Sequence, residues 1–311
     1  MDTRTVVEFI RLGRFPFLLS GFIPFTAGAL LAFLLGARFT PAQFLFGYAA
    51  MAAAHLSVHY SNDYFDADAD RFVETTAISG GSGVLPRNPA LKPAALYAAV
   101  SLMALSVLIG AAFVAVFDYP IIFLAFGIAG NLLGWFYTAP PIALAYHRLG
   151  EVANVITFGL LMPGAGYFVA MGTLDWPFFA FAVPLCLYGL VFITSVEIPD
   201  MEGDIAGGKR TLVVRRGRIF AFSLIALAAS LATAVLAVFA LAGVFAPVNF
   251  WPVALFSIIP LALALRGFSR RSAERAPALP HAVANIQGYF LFQGLLALYL
   301  LLVVAGSLFG P

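Results

Sequence analysis

Two short stretches of this 311-residue chain gather the groups needed to grip a hard cation. In the first, Asn62 to Asp70, the residues Asn62, Asp66 and Asp70 stand at i, i+4 and i+8, so a helix would bring them to one face. Asp63 lies one position round from them. The second, Glu197 to Asp204, repeats the four-residue step with Asp200 and Asp204. Each stretch holds four of the chain's fifteen acidic residues. Carboxylates this close repel one another, more strongly where water is scarce, and divalent cations remove that repulsion. The donors are all oxygens with no His/Cys set among them, which favours Mg²⁺ over Zn²⁺. Mg²⁺ binds through a few carboxylates, water and substrate phosphates, so a diphosphate bridging the two stretches is the chemistry this spacing suits.

Cations near such a site would stabilise a leaving diphosphate as its carbon–oxygen bond breaks. Lys209 follows the second stretch within about two turns, and Arg14 precedes the first apolar run; these two are the expected catalytic cations. Arg148 and Arg87, in other loops, are weaker candidates. Arg215, Arg216 and Arg218 read as determinants of membrane topology. His55 and His59 are expected to hydrogen-bond within a cavity, because the His-Glu-x-x-His arrangement of zinc peptidases is absent.

The elements that must carry these groups are apolar. The chain is 62% hydrophobic and 10% charged, with mean hydropathy +0.97, whereas soluble domains average about 25% charged residues. Nine segments approach the roughly 20 apolar residues of a bilayer crossing: 15–37, 42–61, 93–117, 119–138, 152–171, 176–196, 219–244, 247–265 and 282–308. The expectation is an all-α polytopic membrane protein, one domain over 1–311, with nine transmembrane helices around a central cavity. The acidic stretches end spans two and six, so two four-helix repeats plus one further helix are expected. Sixteen of the seventeen Lys and Arg residues, all but Arg38, fall in the N-terminus and alternate loops. The positive-inside rule then makes the N-terminus and both acidic stretches cytoplasmic and the C-terminus external. A single cysteine, Cys186, excludes an intramolecular disulfide. The net charge of +2 is accounted for by topology and gives no sign of nucleic-acid binding.

These motifs resemble those of the UbiA-type membrane prenyltransferases. Asn62, Asp63, Asp66 and Asp70 match that family's Asn-Asp-x-x-Asp-x-x-x-Asp signature. Asp200 and Asp204, with Gly-Gly-Lys-Arg-Thr-Leu after them, resemble its second motif, and residues 135–152 resemble its Tyr-Thr-x-Pro-Pro loop leading to Leu-Gly-Glu. The resemblance implies that Asn62, Asp66, Asp70, Asp200 and Asp204 hold Mg²⁺ and a polyprenyl diphosphate, with Tyr137 and Arg148 contributing to the diphosphate contact. It also implies Asp63 as a base near an aromatic acceptor. Many members carry a lysine four residues after the equivalent of Tyr137, where this chain has Pro141, and Arg148 is a candidate substitute. Gly-Gly-Ser-Gly-Val-Leu (80–85) and Gly-Lys-Arg-Thr-Leu look most like 1,4-dihydroxy-2-naphthoate polyprenyltransferases of menaquinone synthesis in a bacterial or archaeal cell membrane. Within the family the acceptor could instead be 4-hydroxybenzoate, homogentisate, a tetrapyrrole or a glycerol-phosphate lipid; outside it, the runner-up is an ion-coupled transporter. Phe65, Phe136, Tyr137 and Tyr188 are expected to face an allylic cation.

Overall fold

The chain begins with a helix that the apolar-span reading does not contain. In a computed structural model, which describes residues 3–38, 40–72 and 81–309 (side chains to 307), Thr3–Leu12 forms α1. Its Val6, Val7 and Ile10 are exposed while Leu12 is buried, the pattern of a helix lying along a membrane surface. Arg14 turns the chain with a left-handed backbone (φ 44) into a short 3₁₀ turn, Phe15–Phe17.

The helices that follow are α2 (Leu18–Leu34), α3 (Pro41–Asp66), α4 (Lys92–Phe117), α5 (Ile122–Trp135), α6 (Gly150–Met171), α7 (Trp176–Ala206), α8 (Leu212–Ala242), α9 (Trp251–Ser269) and α10 (Arg275–Phe309). No strand occurs among the described residues. Starts are set by local chemistry. Proline stands in the first turn of α3, where its missing N–H costs nothing. Asp175 accepts from the Phe178 N–H to cap α7, and Thr211 accepts from the Val214 N–H to cap α8.

Seven stretches among the described residues are long and apolar enough to cross a membrane. Nine were expected. The other two, α3 and α5, occupy the second and fourth expected positions but fall short for different reasons. In α3 the histidines, serines and acids of the site dilute its apolar character. With 14 residues, α5 spans only about 21 Å, against roughly 30 Å of hydrocarbon.

The core lies between α2, α6, α7, α8, α9 and α10. Outward leucines such as Leu108 on α4, Leu241 on α8 and Leu302 on α10 leave an apolar exterior suited to lipid. Small residues set the closest seam. A Cβ on Gly28 of α2 would overlap the Pro163 carbonyl of α6, and one on Gly166 of α6 would overlap the Phe25 carbonyl of α2. The two backbones therefore touch, as small residues allow between helices in lipid. Just before Pro163, α6 widens into a π turn over Thr157–Leu161, because proline has no N–H to continue the α ladder.

Candidate active site

The first acidic stretch does not continue as one helix. α3 ends at Asp66, and Asp70 is carried instead on a 3₁₀ turn, Ala69–Phe72. The single helical face over Asn62–Asp70 expected from the spacing is thus broken, yet Asp63, Asp66 and Asp70 all stay buried. The second stretch does stay helical: α7 runs through Pro199 to Ala206, with Asp204 buried and Asp200 partly so.

Close packing joins the two stretches. A Cβ on Gly207, the residue after α7, would stand 2.8 Å from the Ala69 Cβ, so only glycine lets the loop settle against the 3₁₀ turn. Two residues later the Lys209 N–H donates to the Asp204 carbonyl (2.9 Å), and its Nζ lies 2.7 Å from Asp66 Oδ2. Lys209 also feels Asp204 and Asp70, while Arg14 feels Asp63, Asp70 and Asp200. Five carboxylates from two motifs are thereby linked through two cations.

Other side chains hold the carboxylates in place. Ser82 donates its Oγ–H and its backbone N–H to Asp63. The Thr138 hydroxyl donates to Asn62 Oδ1 at 3.0 Å, and the Tyr146 hydroxyl donates to Asp66 Oδ1 at 2.8 Å. Glu151 accepts from the Leu212 N–H and fixes the start of α8 just beyond Lys209. Arg218 is 2% exposed and donates to the Ile198 carbonyl, the Ala273 carbonyl and Glu202, while Arg275 donates to the Pro199 carbonyl. Together they anchor the turn of α7 directly before Asp200.

The electrostatics follow from burial and charge excess. Burial, and then Asp66 and Asp63, push the Asp70 carboxyl up to about 7 against the opposing pull of Lys209 and Arg14. Burial alone would lower the Lys209 ammonium, but Asp66, Asp204 and Asp70 together hold it well above its ordinary range. Burial and the adjacent Asp66 raise the Tyr146 hydroxyl, and burial followed by Glu197 raises that of Tyr137.

The donor set fits Mg²⁺. Every candidate ligand is an oxygen, and Gly81 leaves free the space beside Asp70 Oδ2 that a Cβ would fill. Among the described residues no three acidic, histidine or cysteine groups form a ready metal cage.

From this polar end a cavity of about 330 Å³ runs into the helices between α3, α4, α5 and α6. Arg14, Asn62 and Tyr137 line one part, Gly47, Phe123, Phe126 and Met162 another, and His55 and His59 also face it. The π turn of α6 contributes Thr157, Phe158 and Leu161 to the wall.

Several expectations need correction. Arg148 is exposed, has a left-handed backbone (φ 70) and makes no hydrogen bond or ion pair with the described residues, so it does not join the cluster. Arg87 is exposed too and turns back to the Gly83 carbonyl of its own loop. Arg218, read as a topology residue, is buried because α8 breaks at Gly217 (φ 78) and turns the next side chain inward. Tyr188 packs on Phe292 in the core, and Phe65 packs edge-on against Trp135; neither lines the cavity. Ser82, Tyr146 and Glu151 were missed as partners of the site. Of the 80–85 motif, Gly80 lies outside the described residues.

Comparison with known proteins bears on this arrangement. The sequence model of the UbiA prenyltransferase family matches residues 21–286. The chain is 25% identical over 179 residues to 1,4-dihydroxy-2-naphthoate octaprenyltransferase of Bacillus subtilis, covering 58% of this chain and 56% of that protein. It is 32% identical over 85 residues to 2-carboxy-1,4-naphthoquinone phytyltransferase of Synechocystis, covering 27% and 28% respectively. The matched stretches thus span about half of the first relative's length and about a quarter of the second's. The fold superposes on a UbiA homolog from Archaeoglobus fulgidus bound to DMAPP and Mg²⁺ with TM-score 0.67 at 16% identity, covering 96% of this chain and 99% of that one.

Proposed function

The chain belongs to the UbiA prenyltransferase family, and we propose that it transfers a polyprenyl group from polyprenyl diphosphate to an aromatic acceptor, 1,4-dihydroxy-2-naphthoate being the acceptor of choice. One observation carries this reading: two acidic motifs far apart in sequence share a single, largely enclosed lysine at the head of an apolar cavity.

Asn62, Asp66, Asp70, Asp200 and Asp204 would hold Mg²⁺. Held by these residues, the metal would neutralise diphosphate charge and make the group easier to expel. Lys209 and Arg14 take up the negative charge that collects on the departing diphosphate as the bond to the allylic carbon breaks. Tyr137, which lines the cavity with Arg14 and Asn62, would border the reacting carbon. The apolar walls house the isoprenoid and exclude the water that would quench an allylic cation. An electron-rich ring carbon of the acceptor then forms the new bond, and Asp63, which accepts from Ser82, would receive a proton from the ring. With a 2-carboxylated naphthoquinol, CO₂ leaves the ring instead.

The relative from Bacillus subtilis supports the naphthoate acceptor over 4-hydroxybenzoate, homogentisate, a tetrapyrrole or a glycerol-phosphate lipid. The basic-residue pattern supports a cell-membrane enzyme with its site at the cytoplasmic face. Purified protein with Mg²⁺, a polyprenyl diphosphate and a panel of aromatic acceptors should yield a prenylated naphthoquinol with loss of CO₂, identified by mass. A different prenylated product would replace the acceptor. Absence of transfer to every acceptor would overturn the reading.

A further inference from the structure

Among the hydrogen-bonding side chains on the cavity wall, the two imidazoles of α3 are set apart. Asn62 accepts from Thr138, Asn131 donates to Ser106, Asn154 donates to the Gly150 carbonyl, and Thr157 donates to the Ala153 carbonyl. His55 and His59, both half-buried, line the same wall, yet neither hydrogen-bonds to any described residue; Nδ1 of His55, turned to Gly21 of α2, and Nε2 of His59 are enclosed, so each ring meets the cavity with its other edge. The rings lie 4.8 Å apart, tilted by 34°, and Phe17 meets His59 edge-on at 6.0 Å. That packing holds the pair in place without satisfying it. A ring nitrogen on the cavity edge with nothing in the protein to bond is open to a guest that can complete it.

Position along α3 narrows the guest. His59 is three residues before Asn62 and His55 seven, which at the helical rise places them about 4.5 and 10 Å below the polar end. A diphosphate held at the acids puts its reacting carbon near the upper imidazole. An isoprenoid chain offers nothing to a ring nitrogen. A hydroxyl both donates and accepts, so it satisfies either tautomer of either ring.

We infer that His55 and His59 form the subsite that recognises the ring hydroxyls of the aromatic acceptor, an inference that rests on the prenyl-transfer reading above. The pair holds the acceptor beside the reacting carbon, and it disfavours arenes whose hydroxyls are absent or blocked, because the nitrogens are then left unpaired.

The test is steady-state kinetics of the full-length protein with His59→Phe, His55→Phe and the conservative His59→Gln, using the acceptor that the wild type prenylates and its O-methyl ether. We expect the phenylalanine variants to raise the acceptor KM about tenfold or more while the prenyl diphosphate KM stays within about twofold. His59→Gln should recover part of the loss. The wild type should discriminate against the ether, and His59→Phe should not. An unchanged acceptor KM, or a prenyl diphosphate KM that rises in parallel, overturns the subsite while wild-type transfer leaves the proposed activity standing. If His59→Phe does not fold, the same comparisons on His59→Gln decide. A wild type that prenylates no acceptor overturns the activity, and the subsite falls with it.

Discussion

Lys209 and Asp66, 143 positions apart in the sequence, meet with Nζ 2.7 Å from Oδ2 and join the loop after α7 to the last turn of α3. Both side chains are largely enclosed, so the contact is not a surface ion pair with negligible weight. Replacing Lys209 by Met should lower turnover by about 10²–10³, the range for removing a charge-stabilising group from a preorganised site. It should also leave Asp66 buried without its cation, a loss of about 3–5 kcal/mol visible as a lower melting temperature in metal-free buffer. Asp66→Ala and Asp200→Ala should abolish Mg²⁺-dependent transfer. Full turnover in any of the three would remove that residue from the mechanism.

The approach of Gly207 to Ala69 gives a test that touches no charge. Gly207→Ala should force the two motifs apart, costing about 1–3 kcal/mol by overpacking and reducing turnover with it. Adding Ala69→Gly should restore both melting temperature and activity. If the double variant is no better than the single one, this contact does not set the distance between the motifs.

The Asp70 carboxyl, raised from 3.8 to about 7, predicts opposite pH trends for two quantities. A carboxylic acid favoured in its protonated form by the fold binds more protons folded than unfolded between those values, so metal-free stability should fall as pH rises from about 4 to 7. Mg²⁺ requires the ionised form, so the thermal stabilisation produced by Mg²⁺ with prenyl diphosphate should grow between pH 6 and 8. Melting curves across pH with and without Mg²⁺ check both. A stabilisation that does not change with pH would exclude Asp70 as a ligand that titrates there.

Tyr146→Phe removes a single hydroxyl from Asp66 while keeping the ring 5.9 Å from the Lys209 ammonium. Turnover should drop about tenfold, the scale of one hydrogen bond to a charged group, with little change in melting temperature. A large fall in melting temperature would instead make the tyrosine a structural strut.

Much of this site is legible from charge scarcity. In a chain with so few ionisable groups, carboxylates at the ends of apolar runs stand out, and Asn62, Asp63, Asp66, Asp70, Asp200, Asp204, Lys209 and Arg14 do converge. What could not be read depends on backbone paths. Spacing treats Asp66 to Asp70 as another helical turn, but a change to 3₁₀ geometry leaves the acid buried by a different route. Tyr146 and Ser82 sit in loops, where no period announces which way a side chain points. Arg148 and Arg218 were misjudged in opposite directions. A basic residue in a polar loop looks the same in sequence whether it faces solvent or is turned inward by a break such as that at Gly217. The fourth expected segment, 119–138, is apolar throughout, but only 14 of its residues are helical as α5, because apolar composition does not say where a helix stops.

The glycine seam between α2 and α6 has a consequence for traffic. Two backbones already in contact cannot be squeezed further, and prying them apart would expose bare peptide groups to hydrocarbon. That flank therefore acts as a fixed jamb. Any sideways way into the chamber must therefore lie elsewhere around its wall.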